Sequence, residues 1–496
     1  MIGIQGILTK ITNTVEALLQ ELRLTSNSQT ILAILVIYHS CLILLGLWVA
    51  KRAQTNEDFL IGGRNLNGWV AGFSYAATSS SAWVLMGFSG FVYANGLSAL
   101  WILPGIWGGY VVAWMVLGKK LRQRAHQHKY VTFTDFIAAD TVSHARRRIV
   151  LASSAMILFC FIFYISAQLQ ASGSAMKTYF DIPSWKGVLL ASLIVGVYSV
   201  LGGFWAVSMT DMIQGIVILV IAILLPLAAL VEAGGPVELW ARLAQDTPGH
   251  LDIFGGRAGL TAIGAALGMA GIGLGTFGQP QLMTRIMSVK NDKERRKAFK
   301  IAITWSLIVF LGMALLGLSA RVLPISMDNA EQILFGTTSL LFPDIIAGLV
   351  MAALLSAVMS TVDSILVASS ATISHDIKIQ PVQSVLMSRI AAAGLMVLAV
   401  GISLSAPTSI FERVLFAWTA LGGAFGPVLF ARLAGWRPHP NAVFLAMMSG
   451  FFVSVAFNQH LYAGPGNLYE RIGPWICPLL ILYVWRLKAH AEQHHG

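Results

Sequence analysis

Charged residues and cysteines are both scarce in this chain of 496 residues. Asp, Glu, Lys and Arg make up 11% of it and hydrophobic residues 56%, whereas a soluble domain is about 25% charged. The chain is therefore an integral membrane protein. Its three cysteines, at positions 41, 160 and 477, lie far apart in apolar runs, and they lack the spacing of metal ligands.

Catalytic and nucleotide-binding motifs are also missing. The sequence contains no CxxC, HExxH, GxSxG or GxxxxGK[ST] pattern, which argues against an enzyme and against transport driven by ATP. The net charge of +11 does not indicate nucleic-acid binding, because the basic residues are divided among short loops and do not gather on one solvated face. The expected partners are a small-molecule solute and the lipid bilayer.

Residues 30–487 are predicted to form one transmembrane domain of about thirteen helices, each near or above the ~20 residues that a spanning helix needs. Residues 1–29 are expected to form an extracytoplasmic amphipathic segment, and residues 488–496 a cytoplasmic tail. The predicted spans are 30–50, 67–94, 98–118, 149–176, 185–204, 209–232, 257–280, 299–321, 340–372, 387–406, 410–431, 441–458 and 472–487.

The basic residues assign the two sides of the membrane. Most of the 33 Lys and Arg residues fall into one set of alternate loops, and such loops are usually cytoplasmic. This set includes Arg285, which follows the seventh predicted span. The N-terminus is therefore predicted to be outside and the C-terminus inside.

The second span, 67–94, has a polar interior that suits a lipid-facing helix poorly. Four consecutive hydroxyl residues, Thr78 to Ser81, lie among small residues at membrane depth. Irregular backbone survives at that depth only where it lines a cavity or is buried in protein. The pattern predicts a discontinuous transporter helix, although a Ser- and Ala-rich helix packed closely against its neighbours would read the same way.

The seventh span has a second interruption. The stretch GMAGIGLGTFGQPQL, residues 268–282, contains five glycines and a proline. A glycine-rich helix can simply be a packing surface. Two interrupted helices five spans apart are, however, the spacing that a five-plus-five inverted repeat predicts.

The ninth span presents small and hydroxyl side chains on one helical face. Ala357, Ser360, Thr361 and Ser364 follow an i, i+3, i+4, i+7 spacing. Two hydroxyls and the carbonyls of an unwound partner would form a neutral cage of about five oxygens, which suits a weakly held monovalent cation. The alternative is that the hydroxyls bond back to their own helix.

Two carboxylates and two aromatic residues are further candidates. Asp211 and Asp363 lie within or next to predicted spans, where carboxylates usually mark ion paths or paired sites. Asp211 could instead be an N-cap. Trp83 and Tyr164 fall in polar surroundings and could wall a small-ligand pocket.

From about residue 35 to residue 487 the chain resembles the solute:sodium symporters, and within them the bacterial sodium/proline symporters. The motifs that carry this resemblance are DFLIGGRNLNGW (58–69), SSSAWVLMGFSG (79–90), LGGFWAVSMTDMIQG (201–215), GLGTFGQPQLMTRIM (273–287), AALLSAVMSTVDSILVASSA (352–371) and FAWTALGGAFGPV (416–428). The resemblance implies an all-α membrane protein with a ten-helix core, about residues 67–431, in two inverted five-helix repeats, the leucine-transporter-like fold.

The resemblance also implies site residues. Sodium would be bound by the carbonyls of Ala77, Ser80 and Ala357 and the hydroxyls of Ser360 and Thr361. A second cation would use Asp211, Ser360, Asp363 and Ser364. The solute pocket would draw on Trp83, Gly87, Tyr164, Ile272, Thr276 and Pro280.

Four positions depart from the pattern of the proline symporters. Those proteins have an aspartate at Ser79, a proline at Ser89, a tryptophan at Ile272 and a tyrosine at Thr276. The loss of two aromatic residues changes the wall of the predicted pocket, so that proline is in doubt as the solute.

The expected function is a secondary transporter that couples inward Na+ movement to uptake of a small organic solute by alternating access. The solute would be an amino acid such as proline, or a related small carboxylate, and the location the bacterial cytoplasmic membrane. The alternative is a transporter-like solute sensor that acts through a partner protein. Against it, about ten residues follow Arg486, too few for a signalling domain.

Overall fold

The computed structural model describes residues 26–50, 56–141, 143–325, 327, 329–377, 385–405, 409–459 and 461–495. Most of the predicted amphipathic segment, up to residue 25, lies outside these residues. Within the described ranges the secondary structure is helical, and nine stretches are long and apolar enough to cross a membrane. The predicted all-α membrane fold is confirmed, while the number of thirteen spans stays a prediction.

The helices of this described part are labelled α1 to α19 in chain order. They are α1 Ser26–Ala50, α2 Asn56–Ile61, α3 Gly68–Ala82, α4 Ser89–Asn95, α5 Ile102–Val111, α6 Gly118–Gln127, α7 Phe133–Ile137, α8 Ser143–Phe180, α9 Ser184–Glu232, α10 Gly235–Asp246, α11 Gly259–Ala270, α12 Pro280–Ser288, α13 Asp292–Val322, α14 Ile333–Leu341, α15 Asp344–Ala371, α16 Val385–Ser405, α17 Ile410–Leu433, α18 Pro440–Gln459 and α19 Leu468–His495.

Helix α9 covers the fifth and sixth predicted spans in one run. Two helices meet at Gly203, whose φ of 62° and ψ of 179° are not helical. Glycine adopts such a conformation without steric cost because it has no Cβ. The boundary between the two spans therefore lies close to the predicted one.

Both predicted interruptions are present. The first broken helix consists of α3, a π-turn over Trp83–Phe88, and α4, and its backbone departs from helical geometry at Ser81. The second consists of α11, a 3-10 stretch over Gly271–Gly278, and α12. Pro280 begins α12, at the position where a helix tolerates the missing N–H of proline.

The two broken helices run in opposite directions. Leu66, just before α3, donates to the carbonyl of Ser288, the last residue of α12 (3.1 Å), and accepts from the N–H of Lys290, just after it (3.0 Å). At the other end, Gly96, which follows α4, packs against the loop before α11. A Cβ added to Gly96 would lie 2.2 Å from the carbonyl oxygen of His250. This antiparallel arrangement is the one expected of an inverted repeat.

Glycines bring the second broken helix against the backbone of its neighbours. A Cβ on Gly273 would lie 1.9 Å from the carbonyl oxygen of Gly105 in α5, and a Cβ on Gly278 2.0 Å from that of Leu421 in α17. Carbonyl oxygens this close leave no room for a side chain. The 3-10 stretch therefore depends on glycine for its packing against α5 and α17.

Candidate functional site

The break in the first helix is held by side chains from its surroundings. Ser81 has φ 45° and ψ −172°, a conformation that is costly for a residue with a side chain. The freed N–H of Ala82 donates to Oε1 of Gln168 in α8 (3.0 Å), and Nε1 of Trp83 donates to the carbonyl of Ser79 (3.1 Å). These two backbone groups at the break are thus satisfied by protein side chains, as burial in a membrane requires.

The predicted sodium ligands lie where α15 packs against this helix. Thr361 Oγ1 donates to the carbonyl oxygen of Thr78 (3.0 Å), and Thr78 Oγ1 lies 3.5 Å from Oγ of Ser360. The Ser80 hydroxyl donates to Ala76 in its own helix (2.8 Å), so its side chain is already engaged. All five predicted ligands are at most 1% exposed: Ala77, Ser80, Ala357, Ser360 and Thr361.

Thr78 is central to this group, although sequence reasoning did not assign it a role. Its hydroxyl also lies 3.0 Å from Oγ of Ser364 and donates to Oδ2 of Asp211 (3.4 Å). One threonine therefore connects the predicted sodium cage to the predicted second-cation group. The hydroxyl run at 78–81 was the available signal.

Asp211 is paired with a buried arginine. Arg285 in α12 donates from Nη2 to Asp211 Oδ2 (2.8 Å) and to Ser364 Oγ (2.5 Å), and the two charged side chains are 1% and 0% exposed. The assignment of Arg285 to a loop was wrong, because the guanidinium is enclosed by helices. The N-cap interpretation of Asp211 was also wrong, since this residue lies inside α9.

The structure therefore gives two of the four predicted second-cation residues a protein cation as their partner. Asp211 and Ser364 both bind Arg285, while Ser364 also donates to the carbonyl of Ser360 (2.7 Å). Asp363 is fully buried on the same helix, α15.

Three of the predicted solute residues belong to one aromatic cluster. The ring of Trp83 lies 6.4 Å from that of Trp418 and 6.0 Å from that of Phe411, and Trp418 Nε1 donates to Tyr164 Oη (3.3 Å). Gly87 lies against Phe411: a Cβ added to Gly87 would be 3.2 Å from the Phe411 side chain. Sequence reasoning missed Phe411 and Trp418, although Trp418 stands in a motif of the resemblance.

The other three predicted solute residues have different surroundings. Ile272 is buried in the 3-10 stretch, and Thr276 Oγ1 is 2.8 Å from where a Cβ on Gly109 of α5 would be. Pro280 lines a separate small cavity next to Arg285. The Ser79 hydroxyl, at one of the departures from the proline symporters, bonds to Tyr110 Oη.

Two cavities lie on opposite sides of the cage. One of about 1120 Å³ is lined by Gly87, Phe411 and the Asn95 end of α4. The other, of about 20 Å³, is lined by Arg285, Ser364 and the loop residue Thr132 among others. The cavity on the Asn95 side is therefore much larger than the cavity beside Arg285.

A third polar group lies beside the small cavity. Ligand atoms of Asp135, His375 and Asp376 lie within 4.8 Å of one another, a donor set that could hold a metal ion. Burial raises the pKa of Asp135, but hydrogen bonds from His375 and two backbone N–H groups outweigh it and bring the pKa below its usual value. Arg146 pairs with Asp135 (2.7 Å) and Thr132 donates to Asp376 (2.8 Å), so the carboxylates already have protein partners.

The chain is similar to known membrane transporters in sequence. Residues 59–450 match the Sodium:solute symporter family. The osmoregulated proline transporter OpuE of Bacillus subtilis is 29% identical over 456 residues, which cover 90% of this chain and 92% of that protein. The sodium/proline symporter of Staphylococcus aureus is 28% identical over 488 residues, 93% of each chain.

Two solved structures have a similar fold. A Na+-coupled sialic acid symporter in a substrate-bound outward-open state aligns with a TM-score of 0.76 at 18% identity, covering 92% of this chain and 97% of that chain. MHP1, a nucleobase-cation-symport-1 family transporter in a closed conformation, aligns with a TM-score of 0.56 at 12% identity, covering 87% and 95%. At these identities the likeness concerns the fold alone.

Proposed function

Because the chain belongs to the sodium:solute symporter family and couples sodium to solute uptake, we propose that its solute is a small amino acid or a related small carboxylate. The family prediction made from the motifs is confirmed, and the protein is a transporter and not an enzyme. No observation favours a solute sensor.

We propose that Na+ binds between the first broken helix and α15, on the carbonyls of Ala77, Ser80 and Ala357 and the hydroxyls of Ser360 and Thr361. The observation that carries this proposal is the hydrogen bond from Thr361 to the Thr78 carbonyl, with Ser360 beside it. It brings hydroxyls of one helix to the irregular backbone of another, and hard cations take oxygen ligands. A neutral cage also allows the ion to leave again in each cycle.

The solute is proposed to bind against Trp83, Gly87 and Tyr164, with Phe411 and Trp418 completing the wall. Ile272, Thr276 and Pro280 are the residues proposed to shape the pocket from the second broken helix. The curated relatives named above are proline transporters, and this supports an amino acid as the solute. Ile272 and Thr276 stand where the proline symporters have aromatic residues, so a solute other than proline, or weak proline transport, is expected.

Alternating access would follow from the two cavities. The large cavity on the Asn95 side supports an outward-facing arrangement in which solute and sodium enter from that side. Opening the Thr132 side would then release both into the cell. A membrane potential of ~100 mV is worth ~2.3 kcal/mol for each charge moved, which is enough to concentrate the solute tens-fold with one sodium.

The bounds of the transporter domain, the sides of its termini and its cellular location are also proposals. We propose a single transporter domain over residues 30–487 with its core at 67–431, an outside N-terminal segment 1–29, and a cytoplasmic tail 488–496. The proposed location is the bacterial cytoplasmic membrane, in agreement with the bacterial relatives.

Uptake into proteoliposomes tests the proposed function. Labelled amino acids and small carboxylates are presented under an inward sodium gradient and, as the control, under an equal potassium gradient. We expect at least one of them to accumulate only with sodium, and Trp83→Ala to weaken its binding. Sodium-independent uptake, or no uptake of any carboxylate in the panel, would contradict the proposal.

A further inference from the structure

Arg285 has the surroundings of a bound cation. Its guanidinium donates to Asp211 Oδ2 (2.8 Å), Ser74 Oγ (2.6 Å), Ser364 Oγ (2.5 Å) and the carbonyl of Gln281 (2.8 Å). Every one of these partners is an oxygen, and one is a carboxylate. Oxygen donors with a carboxylate are the ligand set that hard metal cations use in proteins.

The oxygens come from several helices that meet at the proposed sodium cage. Ser74 lies on α3, Asp211 on α9 and Ser364 on α15, while Arg285 itself lies on α12. Thr78 joins the two groups, because its hydroxyl reaches Ser364 at 3.0 Å and Ser360 at 3.5 Å. A cation at Asp211 would therefore be a near neighbour of the sodium ion.

The buried charge of Asp211 explains why a cationic side chain, Arg285, lies beside it. Asp211 is fully buried, and a carboxylate buried without a partner is very costly, so it must be neutralised by a cation or by a proton. Ser74 adds a hydrogen bond of 2.6 Å to the same Oδ2, which favours the ionised form. The guanidinium then provides the positive charge that a mobile ion would otherwise have to bring.

We propose that Arg285 is a built-in cation that occupies the second-cation position, so that the transporter binds one sodium ion per cycle. A latent sodium site on Asp211, Ser74 and Ser364 becomes available when the arginine charge is removed. This inference rests on the proposed function. Of the predicted second-cation residues Asp211, Ser360, Asp363 and Ser364 it keeps Asp211 and Ser364, which touch Arg285, and it adds Ser74.

The test counts sodium ions on the full-length protein. Radioactive sodium is bound to the purified wild type, to Arg285→Gln and to Arg285→Lys, and the sodium dependence of uptake is measured on the same proteins. We expect one ion and a Hill coefficient near one for wild type and for Arg285→Lys, which keeps the charge. Arg285→Gln is expected to bind two ions, and at low sodium a tenfold dilution of sodium would lower its uptake about a hundredfold, against about tenfold for wild type.

A double variant separates charge from packing. Arg285→Gln combined with Asp211→Asn removes both charges, so it is expected to fold and to bind one sodium ion again. A double variant that still binds two ions would overturn the proposal, because the second site would not need the carboxylate.

Two further results would overturn it. Two sodium ions bound to the wild type would mean that Arg285 does not occupy a cation position. The wild-type count tests the proposal even if Arg285→Gln does not fold. A folded Arg285→Gln that binds one ion would mean that the arginine only bridges helices. A wild type that binds no sodium would instead remove the proposed function, which makes the two failures distinguishable.

Discussion

The two broken helices are interrupted in different ways. The first departs from helical geometry at one polar residue, Ser81, and its freed groups are bonded by Gln168 and Trp83. The second is a 3-10 stretch of eight residues, Gly271–Gly278, whose glycines lie against the backbone of α5 and α17. One break is polar and is held by side chains, whereas the other is glycine-rich and is held by close packing.

This difference suggests a division of labour within the inverted repeat. Hydroxyl and carbonyl oxygens collect at the first break, where Ser360 and Thr361 of α15 lie as proposed ligands of the sodium ion. The glycines of the second break let its backbone form a thin wall between neighbouring helices. The first break is thus suited to the ion, and the second to shaping the space around the solute.

The largest effect is expected from filling the second break. Gly273→Ala would place a Cβ 1.9 Å from the carbonyl oxygen of Gly105, so one of the two helices must move. Overpacking in a core costs about 1–3 kcal/mol and occasionally more, and backbone on both sides puts this position at the upper end. The measurement is the thermal stability of the purified variant.

Gly108→Ala is the matched control, since no atom of the described residues lies within 4 Å of its added Cβ. It should leave stability close to that of wild type. Equal stability of the two variants would show that the second break does not depend on glycine.

A smaller effect is expected from the polar support of the first break. Gln168→Leu removes the acceptor of the Ala82 N–H, and a buried donor without an acceptor costs about 1–3 kcal/mol. The break next to the proposed ion would then be less well ordered, and sodium affinity should fall by about the same free energy. Thermal unfolding of the purified variant over a range of sodium concentrations measures both its stability and its sodium affinity.

Gln170→Leu is the control for this substitution, because it makes the same change two residues further along α8. It is expected to lower sodium affinity much less. Identical behaviour of the two variants would mean that the Ala82 hydrogen bond has no special role.

The smallest effect, on solute affinity, is expected from Trp83, which lies next to the first break and in the proposed solute pocket. Trp83→Phe keeps an aromatic ring against Phe411 but loses the hydrogen bond to Ser79, which is worth about 0.5–1.5 kcal/mol. Solute affinity should fall about two- to tenfold, as measured by competition in uptake. Trp114→Phe, at a buried tryptophan that packs on Tyr75, is the control, and an equal loss there would remove Trp83 from the pocket.

Much of this architecture could be predicted because the bilayer restricts what a sequence can do. A hydroxyl run at 78–81 and five glycines at 268–278 are conspicuous in apolar helices, and irregular backbone at membrane depth has few structural explanations. The same reasoning identified the hydroxyl face of α15, which the structure brings to the first break.

The long-range partners could not be predicted in this way. Arg285 follows an apolar run and precedes other basic residues, so that it resembles a loop residue, yet it bonds to Asp211, 74 positions earlier in the chain. Gln168 and Trp418 likewise acquire their roles from helices that are distant in sequence. Helical periodicity shows which face a residue occupies, but not which helix lies opposite.

The central claim is that sodium lies between the first broken helix and α15, and Thr361→Val tests it most directly. Valine has nearly the shape of threonine but lacks the hydroxyl. The matched control is Thr419→Val, because the Thr419 hydroxyl donates to the Leu415 carbonyl of its own helix (2.9 Å). The measurement is the sodium concentration for half-maximal uptake in proteoliposomes. The account predicts that this concentration rises about tenfold or more in Thr361→Val, since a bond to a charged group is worth about 1.5–3 kcal/mol, and that it is unchanged in Thr419→Val. Wild-type sodium dependence in a folded Thr361→Val would contradict the site.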